Sequence, residues 1–159
     1  MRKPRVLVVD DNKITTKLLG RFLESTGYIA FAAYDGVDCL EKVQDFQPDA
    51  IVLDVMMPRM DGYETARNLK ANPATKHIPI VITTALNDIT NQLKAVESGA
   101  DDFLSKPIEE KLLMAKIKIL TNLHITETKL RDVNDVITKE NLEKNGYDWL
   151  MTQITEILI

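Results

Sequence analysis

The sequence VLVVDDN at residues 6–12 is the first indication of the fold. Its four apolar residues, Val6 to Val9, stop at Asp10 and Asp11, which is typical of a short strand buried on both faces. Four further runs of this kind follow along the chain, at Ile29–Ala33, Ala50–Leu53, Ile80–Thr83 and, more weakly, Phe103–Leu104. The first run is therefore predicted to be one strand of a five-stranded sheet.

The segments between these runs have the spacing of helices. Apolar residues recur every three or four positions, as on one face of an α-helix: Ile14, Leu18 and Phe22, then Val37, Leu40 and Val43, then Ala66 and Leu69. Strands that alternate with helices of this length predict an α/β fold, a doubly wound parallel sheet with helices on both faces. Ligands of such sheets bind beyond the carboxyl ends of the strands.

Composition limits the classes of function. The chain has 159 residues and a formal net charge of −4, which disfavours binding to nucleic acid or to an anionic membrane. Its single cysteine, Cys39, cannot form an internal disulfide and is predicted to be a core residue, as expected in a reducing compartment. No apolar run approaches the length of a membrane span. We therefore expect a cytoplasmic protein with one core, or one core plus an appendage.

Polar residues that suit phosphate chemistry follow four of the predicted strands. They are Asp10 and Asp11, Asp54, Thr84, and Lys106 with Pro107. Each also has an ordinary structural explanation, as a helix cap, a turn residue, a strand residue or a surface charge. Together, however, they place three carboxylates and one ammonium in one crevice, where a hard cation, Mg²⁺ or Mn²⁺, would neutralise the carboxylates. A carboxylate in such a cluster can accept a phosphoryl group, whose oxygens the ammonium and a hydroxyl can contact.

Four motifs, in order at the strand ends, resemble the receiver domain of bacterial response regulators. They are VLVVDDN at residues 6–12, IVLDVMMPRMDG at 51–62, ITTA at 82–85 and GADDFLSKP at 99–107. The resemblance covers about residues 4–123 and implies a flavodoxin-like (βα)5 receiver fold. It also implies a phosphorylation-controlled regulatory domain that catalyses only its own phosphorylation and dephosphorylation.

The resemblance assigns a role to each site residue. It makes Asp54 the phosphoacceptor and Asp11 a direct metal ligand, with Asp10 acting mainly through a metal-bound water. The main-chain carbonyl of Met56 would be a further metal ligand. Because the thioether of Met56 is a poor hydrogen-bond partner for an attacking water, we expect a long-lived phosphoryl-aspartate, although the small Ala85 leaves access to the phosphoryl group.

The remaining family positions concern the phosphoryl group and the conformational switch. The resemblance implies that Thr84 and Lys106 contact the phosphoryl group and that the peptide before Pro107 is cis. Phe103 matches the aromatic residue that turns inward as Thr84 moves toward the phosphate. An ordinary core phenylalanine explains Phe103 equally well.

A histidine kinase or a phosphotransfer protein is the expected phosphoryl donor. Two alternatives remain. A Mg²⁺-dependent phosphatase with an aspartyl nucleophile would need two aspartates separated by one residue at the first strand, whereas Asp10 and Asp11 are adjacent. A stand-alone receiver would act through protein–protein interaction alone.

The chain is longer than a receiver requires, and we expect three parts: a receiver at 1–123, a helical linker at 124–145 and a tail at 146–159. The linker pattern fits either a gapped coiled-coil heptad or a solvated helix. The apolar end at Ile157–Ile159 is similar to the start of the first strand, so the tail is either the beginning of a second receiver-like domain or a short docking segment.

The run from residue 73 through the long last helix resembles the first receiver of PleD-type diguanylate cyclase response regulators. The cyclase signature GG[DE]EF is absent from this chain. The resemblance implies that phosphorylation promotes homodimerisation through the fourth and fifth helices and the last strand. In the full-length protein it would control an output domain, with cyclic-di-GMP synthesis as the expected output.

Overall fold

The structure is a computed structural model that describes residues 2–85, 89–138 and 151–158. In the described residues as far as Thr138, five strands alternate with five helices. In chain order these are β1 Arg5–Val9, α1 Lys13–Ser25, β2 Ile29–Ala33, α2 Gly36–Phe46, β3 Ala50–Asp54, α3 Gly62–Ala71, β4 Ile80–Thr84, α4 Ile89–Glu97, β5 Asp102–Ser105 and α5 Glu110–Thr138. The described residues divide into two units, one of residues 2–121 and one that begins at residue 122.

The five strands form one parallel sheet in the order β2-β1-β3-β4-β5. This confirms the predicted doubly wound α/β fold. The chain order reverses direction between β1 and β3, and the crevice at that point is where open α/β sheets bind ligands. Asp10 directly follows β1, and Asp54 is the last residue of β3.

The alternation of side chains along the strands builds one core layer on each face of the sheet. Leu7 and Val9 of β1 point to one face, where they join the buried residues of α2, α3 and α4. Val6 and Val8 point to the other face, where they join Leu23 of α1 and the α5 residues Leu113 and Ile117. Both layers are apolar, which is why the inner strands have continuous apolar sequences.

The core-facing side of α1 differs from the predicted stripe. Ile14 and Leu18 are 71% and 60% exposed, whereas Leu23 is fully buried and Leu19 packs against the core. The helix carries two apolar series with the same four-residue spacing, and of the predicted series only Phe22 packs against the core. Spacing alone identified the helix but not its buried side.

β2 is also less buried than its sequence suggests. Ile29 is 44% exposed and Phe31 is 48% exposed, so β2 is not covered on both faces as predicted. The reason is topological, because β2 is the last strand at one side of the sheet. Position in the sheet, which the sequence of one strand does not encode, sets its burial.

The C-terminal unit is helical wherever it is described. The predicted linker is helical as far as Thr138, and its residues 139–145 lie outside the described residues. Residues 151–158 also form a helix, so the strand pattern predicted at the chain end is wrong for Ile157 and Leu158. Ile157 and Leu158 lie three and four residues after Ile154, which is helical spacing. The same residues also form a short apolar run, so the sequence pattern did not distinguish a helix from a strand.

Within the described ranges, none of the helices combines the length and the apolar character needed to cross a bilayer.

The fold makes the one thiol of the chain unreactive. Cys39 is fully buried in the core, and burial, together with the charges of Asp38 and Asp35, raises its pKa to about 12. Since the thiolate is the reactive form, we expect the native protein to react with a disulfide reagent only when it unfolds. Labelling followed by absorbance near neutral pH should be slow in buffer and fast in denaturant. Complete labelling of the native protein at the denatured rate would contradict this packing.

Candidate functional site

The register of the sheet brings the predicted site residues to one edge. Val9 of β1 is paired with Leu53 of β3. The residues that follow them in the chain, Asp10 and Asp54, are therefore neighbours. Across β4 and β5, Thr84 is paired with Ser105, which directly precedes Lys106. The carboxyl ends of four segments that are far apart in sequence therefore meet above the sheet.

Asn12, rather than either aspartate, caps α1. Its side-chain oxygen accepts hydrogen bonds from the backbone N–H groups of Ile14 and Thr15. Asp10 Oδ1 accepts the N–H of Asn12 at 2.9 Å, which fixes the turn after β1. The structural explanation of Asp10 and Asp11 as helix caps is therefore wrong, because an asparagine fills that position.

The turn between β3 and α3 is tight because Gly62 lies against the backbone of Asp54. A Cβ at position 62 would overlap the carbonyl oxygen of Asp54, and it would lie 2.9 Å from the Cα of Val55. The N–H of Gly62 donates to the carbonyl of Val55 at 2.9 Å. Glycine is needed here for close approach, and this contact helps to fix the backbone that carries Asp54.

An ion pair anchors the outer part of the same loop to α2. Arg59, which has φ +66°, places its Nη2 2.6 Å from Asp35 Oδ2. Burial acts to raise the pKa of Asp35, but the N–H of Asp38 and the guanidinium of Arg59 outweigh it, and the pKa is lowered. Asp35 also caps α2, so one carboxylate joins the loop after β3 to the start of that helix.

Lys106 connects two of the carboxylates. Its Nζ lies 2.9 Å from Asp54 Oδ1 and 3.2 Å from Asp10 Oδ2. Asp10 and Asp54 are buried, while the ammonium retains partial exposure. This bridge spans 96 positions of the sequence between Asp10 and Lys106.

Three carboxylates converge beside this ammonium. Oxygen atoms of Asp10, Asp11 and Asp54 all lie within 4.8 Å of one another, with Asp11 exposed and the other two buried. An arrangement with only oxygen donors suits a hard divalent cation such as Mg²⁺, and it offers no imidazole or thiolate to a softer metal. The three carboxylates and the one ammonium leave a surplus of negative charge, which a divalent cation would neutralise.

The pKa values of the bridged pair reflect burial first and the neighbouring charges second. Burial raises the pKa of Asp54, the hydrogen bond from Lys106 opposes the rise, and the nearby charge of Asp10 adds to it. Burial acts to lower the pKa of Lys106, but its contacts with Asp54 and Asp10 outweigh burial and raise the pKa. One ammonium shared by two carboxylates is thus held firmly protonated, while Asp54 is only partly compensated.

The other predicted residues lie around this cluster. Thr84 is buried at the end of β4 and Met56 is exposed two residues after Asp54. Phe103 is partly buried against the core layer of α2, α3 and α4. The Lys106–Pro107 peptide is cis.

Sequence reasoning missed three residues that shape the site. Asn12 could have been identified, because asparagine before an apolar periodic segment is a common helix cap. Gly62 could also have been singled out, since Asp-Gly marks a turn. The pairing of Arg59 with Asp35 had no signal, because the two residues are 24 positions apart and arginine rarely adopts a positive φ.

The sequence of this chain is similar to that of one family of known proteins. The sequence profile of the response regulator receiver domain matches residues 6–118. Response regulator PleD of Caulobacter vibrioides is 42% identical over 127 residues, which are 80% of this chain and 28% of PleD. Response regulator MprA of Mycobacterium ulcerans is 40% identical over 128 residues, which are 80% of this chain and 53% of MprA. The matched region is thus about a quarter to a half of these curated relatives.

Solved structures agree with the sequence match. A putative response regulator from Chloroflexus aurantiacus superposes with a TM-score of 0.73 at 32% identity, covering 76% of this chain and 99% of that one. The receiver domain of a signal transduction histidine kinase from Syntrophus aciditrophicus gives a TM-score of 0.71 at 34% identity, covering 75% and 90% of the two chains. With the sheet order and the clustered carboxylates, these matches show that the chain belongs to the response regulator receiver domain family.

Proposed function

We propose that this chain accepts a phosphoryl group on Asp54, in a reaction that requires Mg²⁺ or Mn²⁺. The observation that carries the proposal is the bridge of Lys106 Nζ to Asp54 and Asp10, beside a third carboxylate within 4.8 Å. A carboxylate next to a fixed ammonium is a suitable phosphoryl acceptor, because both the nucleophile and the transferring charge are positioned in advance.

The donor would be a phosphohistidine of a histidine kinase or of a phosphotransfer protein. An ionised oxygen of Asp54 attacks phosphorus, a P–O bond forms, and the P–N bond breaks with its electron pair returning to the donor imidazole. No proton has to leave Asp54, since the attacking carboxylate is already charged. The acyl phosphate so formed returns to the carboxylate when water hydrolyses it.

The chain's own residues would divide the work. Lys106, which contacts Asp54, would donate to a phosphoryl oxygen, and the Thr84 hydroxyl would donate to another. Asp11, Asp54 and the carbonyl of Met56 would hold the metal directly, and Asp10 would act through water. The metal, when bound, supplies positive charge opposite the carboxylates and the transferring phosphoryl oxygens.

We further propose that phosphorylation changes a two-state switch made of Thr84 and Phe103. A hydroxyl drawn toward the phosphoryl group would vacate space into which a partly buried ring can turn. In the full-length protein this change would control dimerisation or an output domain, with cyclic-di-GMP synthesis as the proposed output. The receiver would function in the cytoplasm, where histidine kinases present their donor domains.

The domain boundaries are also part of this proposal. Residues 1–123 would form the receiver, 124–145 the helical linker, and 146–159 the beginning of a further segment or domain. The unit boundary at residues 121 and 122 supports the first division.

Phosphoacceptance can be tested with acetyl phosphate and Mg²⁺, with intact mass as the readout. We expect one phosphoryl group per chain, no labelling of Asp54→Asn or in the presence of a chelator, and labelling on the order of 100-fold slower in Lys106→Ala. Asp61→Asn is the matched control, because asparagine also caps α3 where Asp61 does. Labelling of Asp54→Asn to the same extent would contradict the assignment of Asp54 as the acceptor. Continued turnover of a phosphate monoester would favour a phosphatase instead.

The lifetime of the phosphoryl group should depend on Met56. Its side chain is 68% exposed two residues after Asp54 and cannot orient a water strongly. We expect Met56→Asn to hydrolyse roughly tenfold faster, because an amide can position the attacking water. Met56→Leu, which keeps an apolar side chain of similar size, should decay like the parent protein. Equal decay rates for all three proteins would show that position 56 does not control hydrolysis.

Dimerisation can be tested by light scattering with and without beryllofluoride, which imitates the phosphoryl group. The proposed surface includes an exposed apolar row on α4, formed by Ile89, Leu93 and Val96. We expect the mass to double with beryllofluoride and Leu93→Glu to prevent the doubling. Leu130→Glu is the control: Leu130 is 52% exposed, against 55% for Leu93, but it lies on the part of α5 beyond residue 123, outside the proposed receiver and its surface. Loss of doubling only in Leu130→Glu would place the contact in the C-terminal unit instead.

A further inference from the structure

The outer side of β2 carries a set of features that phosphoacceptance does not use. Ile29 N–H donates to Pro4 and Ala33 accepts from the N–H of Asp10, so the odd residues of β2 bond to β1. In a parallel ladder the alternate residues, Ala30 and Ala32, then direct their N–H and C=O groups away from the sheet. Such a row of outward-facing groups can pair with another strand.

An ion pair of α2 covers one end of this row. Lys42 Nζ donates to the carbonyl of Ala32 at 2.9 Å, and Asp38 accepts the N–H of Tyr34 at 3.0 Å. The two side chains are themselves joined at 2.9 Å. Lys42 therefore occupies the outward carbonyl of Ala32 at the carboxyl end of β2. The outward groups that remain are the N–H and C=O of Ala30 and the N–H of Ala32.

Apolar side chains border this open part. Ile29 and Phe31 are 44% and 48% exposed, and the Phe31 ring stacks on Phe46 with 5.2 Å between centroids. The stack fixes the position of Phe31, so this apolar surface is already ordered before any partner arrives. A preordered surface loses less conformational entropy on binding.

The α1 side of the same groove is basic. Lys13, Lys17 and Arg21 recur at four-residue intervals along α1, and all three are exposed. Lys17 and Arg21 line the groove beside Ala30 and Phe31. Glu24 also lines it, near the end of α1, so the wall keeps a net positive charge although the whole chain has a net charge of −4.

We propose that this β2 groove docks an extended acidic segment of a partner protein. The segment adds as a short strand beside Ala30 and Ala32, with apolar side chains on Phe31 and carboxylates against Lys17 and Arg21. Strand addition supplies the backbone hydrogen bonds, and the basic row selects an acidic sequence.

A second copy of this chain fits the groove less well. Two copies joined through antiparallel β2 strands would be related by a two-fold axis perpendicular to the sheet. That axis would place both α1 helices on the same face, with one basic row facing the other. Like charges that face each other disfavour this pairing, whereas an acidic segment complements the row.

The probe is a fluorescein-labelled peptide of about eight residues, the length of a long strand, in which glutamate alternates with valine. Fluorescence anisotropy should show binding that weakens with salt, and a peptide with lysine in place of glutamate should not bind. In nitrogen-edited NMR spectra the amides of Ala30 and Ala32 should shift and exchange more slowly.

Two variants separate charge from backbone pairing. Lys17→Glu with Arg21→Glu should weaken the acidic probe by about tenfold or more, since both favourable charges become repulsive. Arg67→Glu with Lys94→Glu makes the same change of charge on α3 and α4 and should have no effect. Ala30→Pro removes an outward N–H at a place where an edge strand tolerates proline, and it should abolish binding while circular dichroism remains native.

Several results would overturn the docking proposal. These are equal binding of the acidic and basic peptides, full affinity in the Lys17 and Arg21 double variant, or amide shifts confined to other elements. A free protein whose mass is that of a dimer, and becomes that of a monomer in Ala30→Pro, would assign the edge to self-pairing. Asp54→Asn should bind the probe normally, so this test is independent of phosphoacceptance.

Discussion

One shared ammonium governs the site. Lys106 Nζ contacts carboxylates from two neighbouring strands, and burial together with the charge of Asp10 raises the pKa of Asp54 in spite of this contact. Three carboxylates against one ammonium leave a net negative charge, which a bound cation or added protons would reduce. The same imbalance fits the proposed binding of a cation and transfer of a phosphoryl group, because the protein alone does not complete the charge balance.

The rest of the molecule holds that imbalance in place. The parallel sheet makes the carboxyl ends of β1, β3, β4 and β5 adjacent, and its two apolar layers supply the packing that offsets the repulsion at this edge. Local features then set the side chains: Asn12 ends the turn after β1, and Gly62 packs against the backbone of Asp54. Stability comes from the core, and the unfavourable charges are confined to one end of it.

The sequence predicted the sheet, its five strands and the polar residues at their ends, since strand and helix periodicities are local and the topology follows from their alternation. It could not predict which side of α1 is buried, because Ile14 and Leu18 share the spacing of the core residues Leu19 and Leu23. It misjudged β2, whose exposure depends on its neighbours in the sheet. The sequence also did not predict the ion pair of Arg59 with Asp35, because the positive φ of Arg59 is set by the surrounding loop.

The bridge between Asp10 and Lys106 joins residues that are 96 positions apart, with β2, β3 and β4 between them in the chain. A ribosome that has released β1, β3 and β4 has therefore released every carboxylate of the site without the ammonium that pairs with two of them. The nascent chain carries this uncompensated charge until β5 and the residue after it emerge. Pairing of β5 with β4 therefore completes the sheet and the site together.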